Sequence, residues 1–170
     1  MRYLENLTLL VFASFITKGQ ILSDKQSILK GGVFIESINV LVPWKSRLSD
    51  STNIGNPKLS QLNEKSLEAS WDSVKILNGL NVTLKGYFRM VHGDWHLIHF
   101  YSIIDSAELG KIKTHLDSYF QKSAVRRGER KNAFFYEWKS FGCMLRLGRF
   151  PGGEKFGLYN DKYYVWLQKM

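Results

Sequence analysis

At 170 residues the chain is long enough for one domain or two small fused repeats, and 44% hydrophobic content with 11 Phe, 8 Tyr and 5 Trp excludes a disordered polypeptide. A formal net charge of +9 favours an acidic partner, whether nucleic acid, an anionic membrane surface or an acidic protein, without choosing among them. The single cysteine, Cys143, excludes an internal disulfide and a cysteine-based zinc site.

Leu7 to Ile16 is an apolar run broken only by Thr8 and Ser14, too short to span a bilayer, so no stable membrane span is expected. Residues 1–19 admit two readings. One is a signal peptide with Thr17-Lys18-Gly19 at the cleavage site. The other is a buried N-terminal helix with Leu4, Leu7, Val11 and Phe15 at helical spacing. Residues 20–32 are polar and linker-like, which sets an exported, periplasmic location slightly ahead of a cytoplasmic one.

Val33 to Val42 is rich in strand-forming residues, opened by Gly31-Gly32 and ended by Pro43. Ser46 to Ile54 reads as a short helix with Ser46 as N-cap and Gly55 as its stop. Leu67 to Val74 alternates as a strand, Asn78-Gly79 is a hairpin turn, and Leu80 to Met90 returns. Gly93-Asp94 marks the next turn, and Trp95 to Ile104 follows as a strand. Asp105 or Ser106 caps a helix whose apolar stripe is Leu109, Ile112, Leu116 and Tyr119 or Phe120. Lys122 to Lys131 reads as a basic loop. Phe134 to Leu147 then forms a hairpin turned at Ser140-Phe141-Gly142, and strands are expected around Phe156–Tyr159 and Tyr163–Leu167. Strand runs joined by hairpins, with two helices, give an α+β fold of mainly antiparallel sheet.

The later hairpin has an earlier counterpart. Trp138 lies 67 residues after Trp71, while Leu145 and Leu147 lie 63 after Val82 and Leu84. One reading is an internal repeat, with two tandem helix-plus-β-meander units at 33–104 and 105–170. The other is two antiparallel stretches alike by composition alone.

No residue set encodes a reaction. His92, His96 and His99 crowd into eight positions, but on a regular strand His96 and His99 point to opposite faces, and a metal needs converging ligands. Cys143 sits on the inward phase of its strand, as a small buried hydrophobe. There is no Gly-x-Ser-x-Gly elbow, and Gly148 to Gly153 lacks the Lys and helix of a phosphate loop. The expectation is a protein that is not an enzyme, with no catalytic residues, metal or cofactor. Glu137 reads as a lone carboxylate on a solvated strand face.

A binding patch is easier to place. Phe135, Glu137, Lys139, Met144 and Arg146 fall on the outward phase of the later hairpin, and Arg126, Arg127 and Arg130 precede it. Large apolar side chains beside guanidinium groups suit an acidic partner. Basic charge around aromatics also suits a nucleic-acid-binding module, the alternative, although no RNA- or DNA-binding signature is present.

A helix, the break Gly55-Asn56-Pro57, a Trp-bearing strand and a Leu-x-Leu strand, followed by a second such series, resemble the duplicated units of bacterial immunity proteins that neutralise toxins. The beta-lactamase inhibitory proteins share a similar tandem plan. The resemblance spans roughly Val33 to Tyr159. The second copy departs from it at Phe120-Gln121-Lys122-Ser123, which has neither the Gly nor the Pro. It implies stoichiometric binding to a protein partner, a cognate toxin or effector, without catalysis, and the chain's own charge of +9 adds the expectation that this partner has an acidic surface. Contact residues vary in such families, so the resemblance assigns none.

Overall fold

A computed structural model describes residues 29–49, 54–130, 133–149 and 162–170, with 129, 130 and 133 placed as backbone only. The expected N-terminal signal or helix, most of the linker and the strand around Phe156–Tyr159 lie outside the described residues.

The chain forms an α+β fold dominated by antiparallel sheet, with one main helix. A hairpin of β1 (Gly32–Ile35) and β2 (Val40–Pro43) replaces the single early strand expected. Asn39, at φ 55°, turns the chain between them after a 3-10 turn at Glu36–Ile38. Next come β3 (Lys58–Asn63), β4 (Ser66–Ile76), β5 (Leu80–Val91) and β6 (Asp94–Ile104). Helix α1 (Leu109–Phe120) follows, then β7 (Val125–Arg130), β8 (Ala133–Ser140), β9 (Cys143–Gly148) and β10 (Tyr163–Lys169). The basic stretch after α1 is therefore an edge strand for much of its length, not a loop.

The expected helix over 46–54 differs too. The Ser46 carbonyl accepts from the Leu97 N–H at 3.0 Å, and Arg47 bridges to His96 as an added scrap of sheet. Residues 48, 49 and 54 are in 3-10 turns, and 50–53 lie outside the described residues. Pairing with β6 outweighs the local capping signal.

Eight strands make one sheet in the order β3-β4-β5-β6-β10-β9-β8-β7, every neighbour antiparallel. Two four-stranded meanders thus lie side by side, joined through their last strands. Their tight turns use left-handed backbone: His92-Gly93 at φ 50° and 83°, and Phe141-Gly142 at φ 54° and 72°. Such a turn matches the twist of the strands it joins, and glycine takes it without steric cost. One row of register partners crosses the whole sheet: Lys58, Ser70, Lys85, Tyr101, Trp166, Arg146, Glu137 and Val125. Trp71 comes one residue after this row in β4 and Trp138 one residue after it in β8. Leu84 faces Trp71 and Leu145 faces Trp138, where the sequence offsets had suggested Val82 and Leu84 for Leu145 and Leu147. A bulge between Trp71 and Val74, with Ser73 at φ 50°, shifts the first pairing.

Alternation sends Trp71, Leu84, Phe88, Phe100, Trp138, Leu145, Leu147 and Val165 to one face, where they form the main core. Trp44, Ile54 and Val33 join this core from the preceding segments, and α1 covers it with Ile112, Leu116, Tyr119 and Phe120. These helical residues match the stripe read from the sequence, and Asp105 caps the turn ahead of α1 by accepting from the Ala107 N–H at 2.8 Å. Each core tryptophan finds an acceptor. Trp71 donates to the Ile54 carbonyl at 2.9 Å and Trp138 to Asp117 Oδ1 at 3.0 Å. Asp117 also accepts from the Ala124 N–H at 2.9 Å and from Lys113 at 2.6 Å. Burial raises the pKa of Asp117, but these donors outweigh it and hold the carboxyl below its ordinary value.

Candidate protein-binding face

Residues directly opposite one another in an antiparallel pair share a face. The row from Lys58 to Val125 therefore lies on the face away from α1, and so do its neighbours two residues along each strand. This second face has an aromatic middle and charged flanks.

Tyr87, Tyr101, Tyr164 and Trp166 form its buried aromatic cluster, with half-buried Phe135 packed against them. His99, 1% exposed, stacks on Tyr87 with ring centroids 5.1 Å apart and lies 4.9 Å from Trp166. A bulge at the Tyr87/Phe88 step shifts the β5–β6 register, so His96 and His99 share this face, against the expectation of opposite faces. Among the described residues no group of three or more His, Cys, Asp or Glu side chains is placed to hold a metal ion. Burial depresses the His99 pKa to about 3, so the ring is neutral at ordinary pH. On the β4–β5 side Glu68 accepts from Lys85 at 2.8 Å and from the Tyr101 hydroxyl, while Tyr87 and Ser66 share a buried hydroxyl contact at 2.8 Å.

The other flank holds most of the residues expected to bind a partner. Arg127, Phe135, Glu137, Lys139, Met144 and Arg146 all belong to this face, brought together from β7, β8 and β9. Glu137 corrects the sequence reading, being buried at 6% exposure beneath three cations. Arg146 Nε lies 2.9 Å from Oε2, while Lys139 Nζ and Arg127 Nε lie 3.4 and 3.7 Å from Oε1. Burial raises the Glu137 pKa, but the Arg146 hydrogen bond and the charges of Arg146 and Lys139 hold it below its ordinary value. Arg146 also spreads over the Phe135 ring at 4.6 Å and reaches Trp166 at 5.9 Å. Close packing fixes the backbone here. Gly148 sits opposite Phe135 at φ 148°, and a Cβ there would come within 2.3 Å of the Phe134 carbonyl.

Arg126 departs from the expected patch. It pairs with Tyr136 in β7–β8 register, so it faces the α1 side, where its guanidinium covers the Phe134 ring at 5.1 Å. Lys113 covers the Tyr136 ring at 5.3 Å and Arg149 the Tyr163 ring at 5.7 Å on the same side. Arg130 ends β7 opposite Ala133 and is placed as backbone only.

Sequence reasoning missed Tyr164 and Trp166, although Tyr-Tyr-Val-Trp-Leu signals them. An unbroken apolar run marks a strand buried on both faces, and β10 is a central strand of this sheet. Cys143 matches its reading as a buried thiol, with burial pushing its pKa up to about 12. No protein-family model, curated protein or solved structure matches this chain.

Proposed function

We propose that this is a non-catalytic binding protein that captures an acidic protein partner on the second face of its sheet, in the manner of a toxin-neutralising immunity protein. The observation that carries the reading is the group of three cations around buried Glu137. One carboxylate neutralises one charge, so the Arg127, Lys139 and Arg146 group keeps an excess of positive charge. Half-buried Phe135 and Met144 beside it supply apolar contact. Charge of this kind mainly speeds association, and an aromatic anchor mainly slows release.

The proposal extends to architecture: 33–104 and 105–170 are tandem units, each a β-meander with its own covering segment. The row centred on the Tyr101–Trp166 pair supports this, because outward from it the two halves place Trp71 and Trp138 at matching steps of their second strands.

The alternative, a nucleic-acid-binding module, fits the charge but not the rings. Base stacking needs open aromatic faces, and guanidinium groups lie over Phe134 and Phe135.

The test is capture of a partner from the native host, followed by affinity measurements with Arg146→Glu and Phe135→Ala across a salt series. Arg146→Glu is expected to slow association at least tenfold at low salt, and Phe135→Ala to speed dissociation. Unchanged binding by both variants would refute this patch and move attention to the other flank of the same face, around Tyr87 and Arg89. Binding to single-stranded DNA whose affinity collapses with salt, with no protein captured, would favour the alternative.

A further inference from the structure

We infer that the outer edge of β7 is a docking site for an extended acidic segment of the partner, which adds to the sheet as a ninth strand beside β7. The inference rests on the proposed acidic-partner reading and names how part of that partner is held.

Among the described residues β7 pairs with β8 alone and is the last strand of the sheet. Alternate backbone N–H and C=O groups of an edge strand point away from its neighbour and are open to another strand. What singles out β7 is charge on both sides of that edge. Arg126 projects on the α1 face and Arg127 on the second face, each exposed. Behind them lie Lys113 on the first face and Lys139 and Arg146 on the second. An added strand sends successive side chains to alternate faces, so acidic residues at neighbouring positions would meet cations on both. Exposed Val125 offers an apolar contact at the start of the strand.

The same charge rejects a second copy of this chain as the occupant. Each β7 carries Arg126, Arg127 and Arg130 against the single Glu129, so two such edges laid together repel by net charge, whereas an acidic strand is attracted. The opposite edge, β3, offers no such selectivity. Its one cation, Lys58, is paired with Asp72 at 2.6 Å, and its exposed apolar residues are Leu59 and Leu62.

The experiment uses the full chain and a capped peptide, Thr-Val-Glu-Glu-Val-Glu-Glu-Val-Thr, whose neighbouring Glu residues fall on both faces of an added strand, with binding followed by calorimetry and by amide exchange of β7. Two further peptides of identical charge carry N-methyl groups on one or the other alternate set of amides. Strand addition predicts that one methylated set weakens binding about tenfold or more while the other set changes it little, because only one edge faces β7. The Arg126→Ser/Arg127→Ser double variant should also bind about tenfold more weakly, and a Lys-for-Glu peptide should not bind. Equal binding by both methylated peptides would overturn the inference and leave simple charge attraction. So would tighter binding of a single-stranded oligonucleotide that displaces the peptide. Absence of peptide binding at about 1 mM would overturn it as well. Failure of the two proposals separates cleanly. If partner capture depends on Arg146 while the peptides show no edge preference, only the strand edge is wrong. If the edge preference holds while Arg146→Glu leaves partner capture unchanged, only the face around Glu137 is wrong.

Discussion

Replacing Glu137 with Gln tests how the cationic group is held. The side chain keeps its size and loses its charge. The Arg146 bond, at 2.9 Å from a buried carboxylate, is charge-assisted and contributes roughly 1.5–3 kcal/mol. Arg127 and Lys139 are 56% exposed, so water competes for them and each adds only about 0–0.5 kcal/mol. Against these stands a gain of about 1 kcal/mol, because a buried amide is cheaper to desolvate than a carboxylate. The net expectation is a loss of roughly 0.5–3 kcal/mol at neutral pH, read by urea unfolding followed through tryptophan fluorescence. The pH dependence has a definite sign. The folded-state pKa of Glu137 is lowered, so its stabilisation is fully present above the unfolded-state value of 4.5 and disappears as pH falls through the folded-state value. The gap between the parent protein and Glu137→Gln should therefore be widest above about pH 5 and close in acid. A gap that is absent at pH 7, or that stays constant down to pH 3, would refute this account of the cluster.

Trp138→Ala should cost roughly 3–5 kcal/mol, since the ring is 1% exposed, stacks on Phe120 and donates to Asp117. Trp71→Phe and Trp138→Phe should each cost about 1–3 kcal/mol for one unmet acceptor, checked by the same unfolding assay. For His99 the folded-state pKa lies below the unfolded one, so the unfolded chain binds the extra proton. Its contribution to stability then falls by about 1.4 kcal/mol per pH unit as pH drops below 6.5, until the folded ring itself protonates near pH 3. His99→Gln should flatten that slope, and imidazole signals in NMR titrations should show a neutral ring at pH 5. Cys143, buried with its thiol donating to the Ser140 carbonyl at 3.1 Å, should react with an aromatic disulfide reagent only as fast as the protein opens. Fast labelling in native buffer would contradict its placement.

The sequence announced those elements whose pattern is local. The alternation through Trp71 and Trp138, the Asn78-Gly79 turn and the stripe of α1 each sit within a few residues, and each is where it was expected. Strand β3, Lys-Leu-Ser-Gln-Leu-Asn, went unread because all six residues are exposed and nothing imposes a period. Strand β7 went unread because Arg126, Arg127 and Gly128 look like loop, and only pairing with β8 makes them sheet. Ser46 carries a helix-start signal that a bridge to β6 overrides. Five members of the expected patch, Phe135, Glu137, Lys139, Met144 and Arg146, followed from hairpin phase, whereas Arg126 and Arg127 were read as loop and fall on opposite faces of a strand that was missed. Burial of Glu137 was invisible because its cations come from three strands, and no local pattern reports register between strands.

That burial bears on what kind of partner this face suits. Three long cationic side chains on an open sheet would ordinarily sample many rotamers, and binding would have to freeze them, at about 0.5–1.5 kcal/mol each. Here the buried carboxylate of Glu137 holds Arg146 at 2.9 Å, while Arg127 and Lys139 stay largely exposed. Arg146 is further restrained by the Phe135 and Trp166 rings. The ordering cost of Arg146 is thus partly met in the free protein, and its guanidinium offers fixed geometry suited to a carboxylate. A flexible polyanion gains little from such rigidity, since its phosphates adapt to any array of charge and its bases need uncovered rings. A folded protein with carboxylates at set spacings gains most. On the proposed reading such a face would discriminate by geometry as well as by sign, as neutralising one partner among many acidic surfaces would require.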